Sequence, residues 1–261
     1  MIRLPSPCFT GMVHLSALPG SPGHIFPMEE IIARAIRDAE TLKAAGFDAL
    51  LIENFGDAPF HPDRVEPASV AAMGVIASVI RRVVGLPMGI NVLRNDASAA
   101  LGVAAATGAS FIRVNVHIGV MATDQGLVTG QAPETLRCRR QLGQGIAIFA
   151  DVHVKHATPI SGPDIVQAAK DTAYRGLADA LIVTGRATGD PVDVEDLRKV
   201  HEAVPDRRVF VGSGATAETV PELLQYATGV IVGTGVKPHG DPAAPVDLEL
   251  ARSFVQSIRS V

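Results

Sequence analysis

Three ionisable side chains recur at every second position near the middle of the chain: Asp151, His153 and Lys155. Ile146, Ile148, Val152 and Val154 hold the opposite parity. Successive side chains of a strand point to opposite faces. One face is therefore aliphatic, and the other carries a carboxylate, an imidazole and an amine. Such groups are costly to bury unless they are paired or serve a function. An aspartate beside a lysine favours both charges, while burial opposes them. With Glu53, which follows the run Leu50-Leu51-Ile52, the three form the candidate catalytic set for proton transfer. Lys155 is equally a candidate Schiff-base nucleophile if its pKa is depressed. A structural ion pair at the same place is the competing account.

Other strand ends repeat the pattern. Arg113, Asn115 and His117 alternate with Ile112, Val114 and Val116. Arginine suits bidentate binding of a carboxylate or phosphate, or it pairs with Asp151 as scaffolding. Asn91 lies between Ile90 and Val92, His14 ends an apolar run, and Thr184 precedes Gly185. His14, Asn91, Arg113, Asn115 and Thr184 are the candidate substrate-binding residues. Arg186, in the loop that follows, is placed to close over a substrate or to be solvated. His14, Glu53, Asp151 and His153 are also metal-ligand types. No HExxH or His-x-His pair accompanies them, so no metal and no cofactor are expected. A GxSxG nucleophile elbow is absent from the sequence.

Near the C-terminus two β-branched runs each stop at a glycine turn. Val209–Val211 leads into Gly212-Ser213-Gly214, and Gly229–Val232 into Gly233-Thr234-Gly235. Glycine lets backbone N–H groups approach an anion closely. These six residues are the candidate phosphate site. Replacing Gly214 or Gly235 is expected to weaken phosphate binding far more than stability. Two tight turns without a ligand are the alternative.

The elements that must position these residues form eight strand-then-helix pairs. The strands are expected near Cys8–Leu15, Phe47–Glu53, Met88–Leu93, Phe111–Val116, Ile146–Val154, Ala180–Thr184, Val209–Val211 and Gly229–Val232. The helices are expected near 28–45, 67–84, 97–107, 133–142, 163–175, 194–203, 217–226 and 247–258. Residues 117–130 read as a polar insertion and 155–162 as a loop. The rhythm continues without a composition break, which predicts one α/β domain spanning 1–261. A (β/α)8 TIM barrel places its active site at the C-terminal strand ends, with phosphate commonly held after strands 7 and 8. A doubly wound open sheet shares the rhythm and is the structural rival.

Composition agrees. The 261 residues are close to the ~250 of one such barrel. The net charge of −4, the absence of tryptophan and only two tyrosines argue against a nucleic-acid partner. Cys8 and Cys138 have no metal spacing and fit a reduced compartment. The N-terminus, broken by Pro5 and Pro7, does not read as a signal peptide, and no uncharged 18-residue apolar run is evident. A cytoplasmic location without a transmembrane segment is expected, and peripheral membrane contact stays open. The last helix, with Leu248, Leu250, Phe254, Val255 and Ile258, either covers the barrel or joins an interface. A homo-oligomer is the expected assembly.

Several runs together resemble the BtpA/SgcQ family. They are Met12–Leu15, Ala17–Pro22, Asp48–Phe60 and Asp151–His156, with the turns Gly212–Gly214 and Gly233–Lys237. The resemblance spans nearly the whole chain. It implies a barrel of the ribulose-phosphate-binding type. It links cyanobacterial members to photosystem I biogenesis as extrinsic thylakoid proteins, and other members to sugar-metabolism genes. It carries over no reaction and no catalytic residue. Two functions follow as expectations. One is an enzyme acting on a small phosphorylated metabolite, either a sugar phosphate or a phosphoribosyl compound, by isomerase, lyase or glycosyl hydrolase chemistry. The other is a non-catalytic assembly or stability factor.

Overall fold

Apolar residues fill both parities of the short strands, so each strand must be covered on two sides. The chain meets this by closing a parallel sheet on itself inside a ring of helices. The computed structural model describes residues 4–142, 145–160, 164–185 and 187–259. The barrel strands are β1 (Cys8–His14), β2 (Ala49–Glu53), β3 (Met88–Asn91), β4 (Phe111–Val114), β7 (Ala147–Val152), β9 (Ala180–Val183), β10 (Arg208–Val211) and β11 (Gly229–Val232). All neighbours are parallel, and β1 pairs with β11 to close the ring. The open-sheet rival is thereby excluded.

Among the described residues eight α-helices alternate with the strands. They are α1 (Met28–Ala45), α2 (Pro67–Val84), α3 (Ala97–Thr107), α4 (Ala132–Leu142), α5 (Ile165–Lys170), α6 (Val194–Ala203), α7 (Val220–Leu223) and α8 (Leu248–Arg259). Local chemistry sets several ends. Gly46 closes α1 at φ 96°, a left-handed angle that glycine reaches without a Cβ clash. Asp96 caps α3 by accepting from the Ala99 N–H at 2.8 Å, and Asp193 caps α6 through the N–H groups of Glu195 and Asp196. The expected fifth helix is shorter than its pattern, and Asp171–Arg175 forms a π-helical turn instead. The seventh keeps only one turn.

By length and composition α2 is apolar enough to cross a membrane, which was not anticipated. Here it lies in the helical ring and buries Met73, Ile76, Ala77, Ile80 and Val84.

The strand parities hold through the barrel. Outward residues such as Val13, Leu50, Ile52, Ile148, Val183 and Val211 pack under the helices. Inward residues form a second core, with Phe111, Phe149 and Phe210 stacked in its centre at ring separations of 4.6 and 4.9 Å. Above this aromatic layer the inward positions turn polar.

The expected insertion after β4 is a hairpin, β5 (Val120–Thr123) and β6 (Gly126–Thr129). A third short strand, β8 (Ala157–Pro159), pairs antiparallel with β5. The stretch after Lys155 is thus tied to this side sheet and is not a free loop.

Candidate active site

Strand ends deliver the side chains. β1 ends at His14 and β2 at Glu53, in register with each other, and Asn91 follows in register on β3. Arg113 of β4 and Asp151 near the end of β7 complete the polar layer.

Asp151 is fully engaged. Arg113 donates to it twice, Nε to Oδ1 and Nη2 to Oδ2, both at 3.1 Å. The Asn115 Nδ2 adds a 2.8 Å bond to Oδ2, and Asn91 Nδ2 donates to Asn115 Oδ1 at 3.0 Å. The Arg113 and Asp151 side chains are 2% and 0% exposed, a buried pair in bidentate geometry. Burial works against the Arg113 charge, but Asp151 and then Glu53 outweigh it and raise its pKa. Of the two roles open to Arg113, the geometry shows the pair with Asp151. The expected catalytic Asp151 and the expected substrate-binding Asn115 are bonded to one another, while Asn91, which donates to Asn115, keeps a buried Oδ1 with no partner among the described residues.

Glu53 differs. Its nearest ionisable contact is His14 Nε2 at 3.8 Å. Burial raises the Glu53 pKa, opposed by Arg113, Lys155 and Arg94. Burial, then Lys237 and Lys155, push the His14 pKa well below its usual value. His14 is therefore neutral, and its approach to Glu53 is a contact and not a salt bridge.

Lys155 enters the same layer from beyond β7. Its backbone is gripped from two sides. Its N–H donates to Thr184 Oγ1 at 3.0 Å, and Arg94 Nη2 donates to its carbonyl at 2.6 Å. Thr184 thus positions Lys155. His153, two residues before, and His156, directly after, are left-handed at φ 53° and φ 56°, which is uncommon outside glycine. The Lys155 amine forms neither a hydrogen bond nor an ion pair with a described residue. Burial, then Arg113, bring its pKa down to about 8, against Glu53 and Asp151.

His153 does not join the cluster. The alternation that predicts it facing inward holds only while the chain is extended, and hydrogen bonding of β7 stops at Val152. At φ 53° His153 lines two clefts beside the mouth pocket, one with Thr184, Asp190 and Asp196 and one with Asn115, Asp151 and Asp171.

The pocket at the mouth is open to solvent, and the space between its lining atoms, open solvent included, is about 400 Å3. His14, Glu53, Arg113 and Lys155 line one side. Gly212, Ser213, Gly214, Gly233, Thr234 and Gly235 line the other, joined by Ala215, Thr188 and Gly189. The N–H groups of Gly214, Ala215, Thr234 and Gly235 find no acceptor among the described residues. Ser213 Oγ instead accepts from the Gly185 N–H at 3.0 Å. Gly214 lies at φ 68°, and a Cβ there would run into the Asp190 carbonyl. A Cβ on Gly235 would meet the Ala215 oxygen at 2.7 Å. A side chain at either glycine would meet backbone, so replacement is expected to cost stability in addition to any effect on an anion.

Sequence reasoning missed Arg94, because the turn after β3 has no alternation to read. It also missed Met12 and Ile231, which line the pocket floor and were available from parity with His14 and Gly233. Arg186 lies outside the described residues. Among the described residues no three His, Cys, Asp or Glu side chains are grouped to hold a metal ion.

The motifs that carried the family resemblance brace each other behind this site. Asp57 Oδ1 accepts from the Leu18 N–H at 2.7 Å, and Asp57 Oδ2 from Asn54 Nδ2 at 3.0 Å. Asn54 Oδ1 accepts from the Leu93 N–H at 2.7 Å. Gly56 lies against the Ser16–Ala17 backbone too closely for any Cβ.

The closed ring of eight parallel strands inside a ring of helices defines a (β/α)8 barrel. Within that class the chain belongs to the BtpA family, whose model matches residues 7–260. It is 47% identical to the photosystem I biogenesis protein BtpA of Synechocystis, covering 95% of this chain and 86% of that protein. It is 50% identical to an uncharacterized protein of Thermococcus kodakarensis, covering 94% and 93%. The putative sgc region protein SgcQ of Escherichia coli is 32% identical over 96% and 93%. Among solved structures, N-(5'-phosphoribosyl)anthranilate isomerase from Pyrococcus furiosus aligns with a TM-score of 0.60 at 16% identity, covering 97% and 99%. Orotidine 5'-phosphate decarboxylase from Pyrococcus horikoshii aligns with a TM-score of 0.60 at 16% identity, covering 97% and 100%. Those two likenesses concern the fold.

Proposed function

We propose that this barrel is an enzyme acting on a small phosphorylated metabolite, a sugar phosphate or a phosphoribosyl compound. One observation carries the reading. A single pocket has unspent backbone N–H groups from two glycine turns on one wall and Glu53 with Lys155 on the other. The turns suit a phosphate held by backbone donors. Glu53, held toward its protonated form, and Lys155, held toward its neutral form, suit proton transfer near neutral pH. Arg113 and Asp151 serve as the charged support beneath them. The two fold neighbours carry phosphorylated compounds in their names, which agrees with this choice. Isomerase, lyase and glycosyl hydrolase chemistry are all compatible with such a pair.

The test is amide mapping in the 15N-labelled protein with inorganic phosphate and with ribose 5-phosphate. Gly214, Ala215, Thr234 and Gly235 should shift and saturate. Thr234→Glu places a carboxylate in the anion seat and should abolish those shifts in a folded protein. Saturating shifts elsewhere, or none, would overturn the site.

The name of the Synechocystis relative favours a second reading, an assembly or stability factor in photosystem I biogenesis. That role needs a docking surface and not a phosphate-responsive mouth. It gains if the four amides stay silent while the protein binds photosystem subunits. A cytoplasmic location and a homo-oligomeric state remain part of the proposal, the latter checked by light scattering.

A further inference from the structure

The lysine amine is the least explained group in the pocket. Every other charge there has a stated partner or neighbour. Arg113 is bonded to Asp151, Arg94 is bonded to the Lys155 carbonyl, and Glu53 touches His14. The Lys155 amine has no bond to a described residue, yet its backbone is held at both ends. A long side chain fixed at its root, with a free tip facing an anion-binding wall, is poorly explained as scaffolding.

We propose that the Lys155 amine forms a Schiff base with the carbonyl of a phosphorylated aldehyde or ketone whose phosphate rests on the Gly214 and Gly235 turns. This rests on the phosphorylated-metabolite reading and narrows it to carbonyl substrates. The Nζ lone pair attacks the carbonyl carbon, and the C=O π pair moves to oxygen. That oxygen takes a proton from the Glu53 carboxylic acid, and an amine proton leaves to the Glu53 carboxylate. The carbinolamine hydroxyl then takes a proton from the Glu53 carboxylic acid and leaves as water as the C=N bond forms, and the N–H proton of the resulting iminium returns to the Glu53 carboxylate. One carbonyl and one amine become one imine and one water, with no change of oxidation state. Burial supports the step by keeping a neutral fraction of the amine near pH 8 and by holding Glu53 toward its acid form. The charged groups facing the amine are Arg113 from β4, Glu53 from β2, Asp151 from β7 and Arg94 from beyond β3.

The experiment is reductive trapping. The whole protein is incubated with dihydroxyacetone phosphate or ribulose 5-phosphate and sodium cyanoborohydride, then digested and mapped by mass. A stable adduct should appear at Lys155, with glycerol 3-phosphate blocking it by competition. Unphosphorylated dihydroxyacetone should give much less. Lys155→Arg should lose the adduct while its four turn amides still respond to phosphate. Trapping should increase as pH is raised through about 8. Phosphate-responsive turns with no Lys155 adduct from either probe would overturn the Schiff base and leave the phosphate reading standing. Silent turns would overturn both. Equal labelling of exposed lysines such as Lys170 would show nonspecific chemistry and likewise sink the proposal.

Discussion

At the scale of the residue, Asp151 and Lys155 look alike in sequence and differ in structure. Asp151 is buried and bonded on both oxygens, so Asp151→Ala leaves Arg113 buried without its partner. Removing one member of such a pair costs about 3–5 kcal/mol, and chemical denaturation should read a loss of that order. Lys155→Met should leave stability unchanged or raise it, because no partner is orphaned. The pH dependence gives a second handle. In the unfolded chain this lysine titrates near 10.5, and in the folded chain near 8. Between those values the unfolded state holds a proton that the folded state has released. Stability therefore rises with pH across that window, and the whole cost of the buried ammonium is present below it. Denaturation curves of wild type should show this rise, and those of Lys155→Met should lack it.

At the scale of the element, the glycine turns after β10 and β11 do two jobs that sequence cannot separate. Gly214 supplies a left-handed angle and passes against the Asp190 backbone. Gly214→Ala is therefore expected to destabilise by about 1–3 kcal/mol, as strained backbone positions do, in addition to any effect on phosphate. A melt of the variant without ligand measures the first contribution alone. An unchanged melting temperature would show that the turn relaxes freely. The side sheet poses a related case. β8 pairs with β5 directly after His156, so the hairpin and β7 hold the lysine segment from opposite ends.

At the scale of the whole molecule, closure of the ring brings β1 beside β11 and so places His14 against Gly233. A Cβ on Gly233 would lie 2.8 Å from the His14 ring, which shows how tightly first and last strands meet at the pocket. Phosphate spanning the two turns would be seated on the closing strands. A ligand present at about a hundred times its Kd stabilises the folded state by about 2.7 kcal/mol. Ribose 5-phosphate should accordingly raise the melting temperature of the wild type and leave that of Thr234→Glu unchanged. Equal shifts in both would remove the turns from the binding site.

Eight apolar runs alternating with helix-length segments made the barrel legible in the sequence, and alternation at the strand ends made legible the inward placement of Glu53, Arg113 and Asp151. The reason is that extended chain and two-sided burial leave only one parity for charge. The glycine turns were legible for a similar reason, since β-branched runs end where a side chain no longer fits. Tertiary structure alone decided the rest. It assigned Asp151 to Arg113 and left the Lys155 amine without a bond to a described residue, because partner choice depends on which strands are neighbours. It sent His153 out of the mouth and brought Arg94 in, because both follow the last extended residue of a strand. Beyond that point the direction of a side chain is set by turns and by the neighbouring loops they pack against, and no local pattern records it.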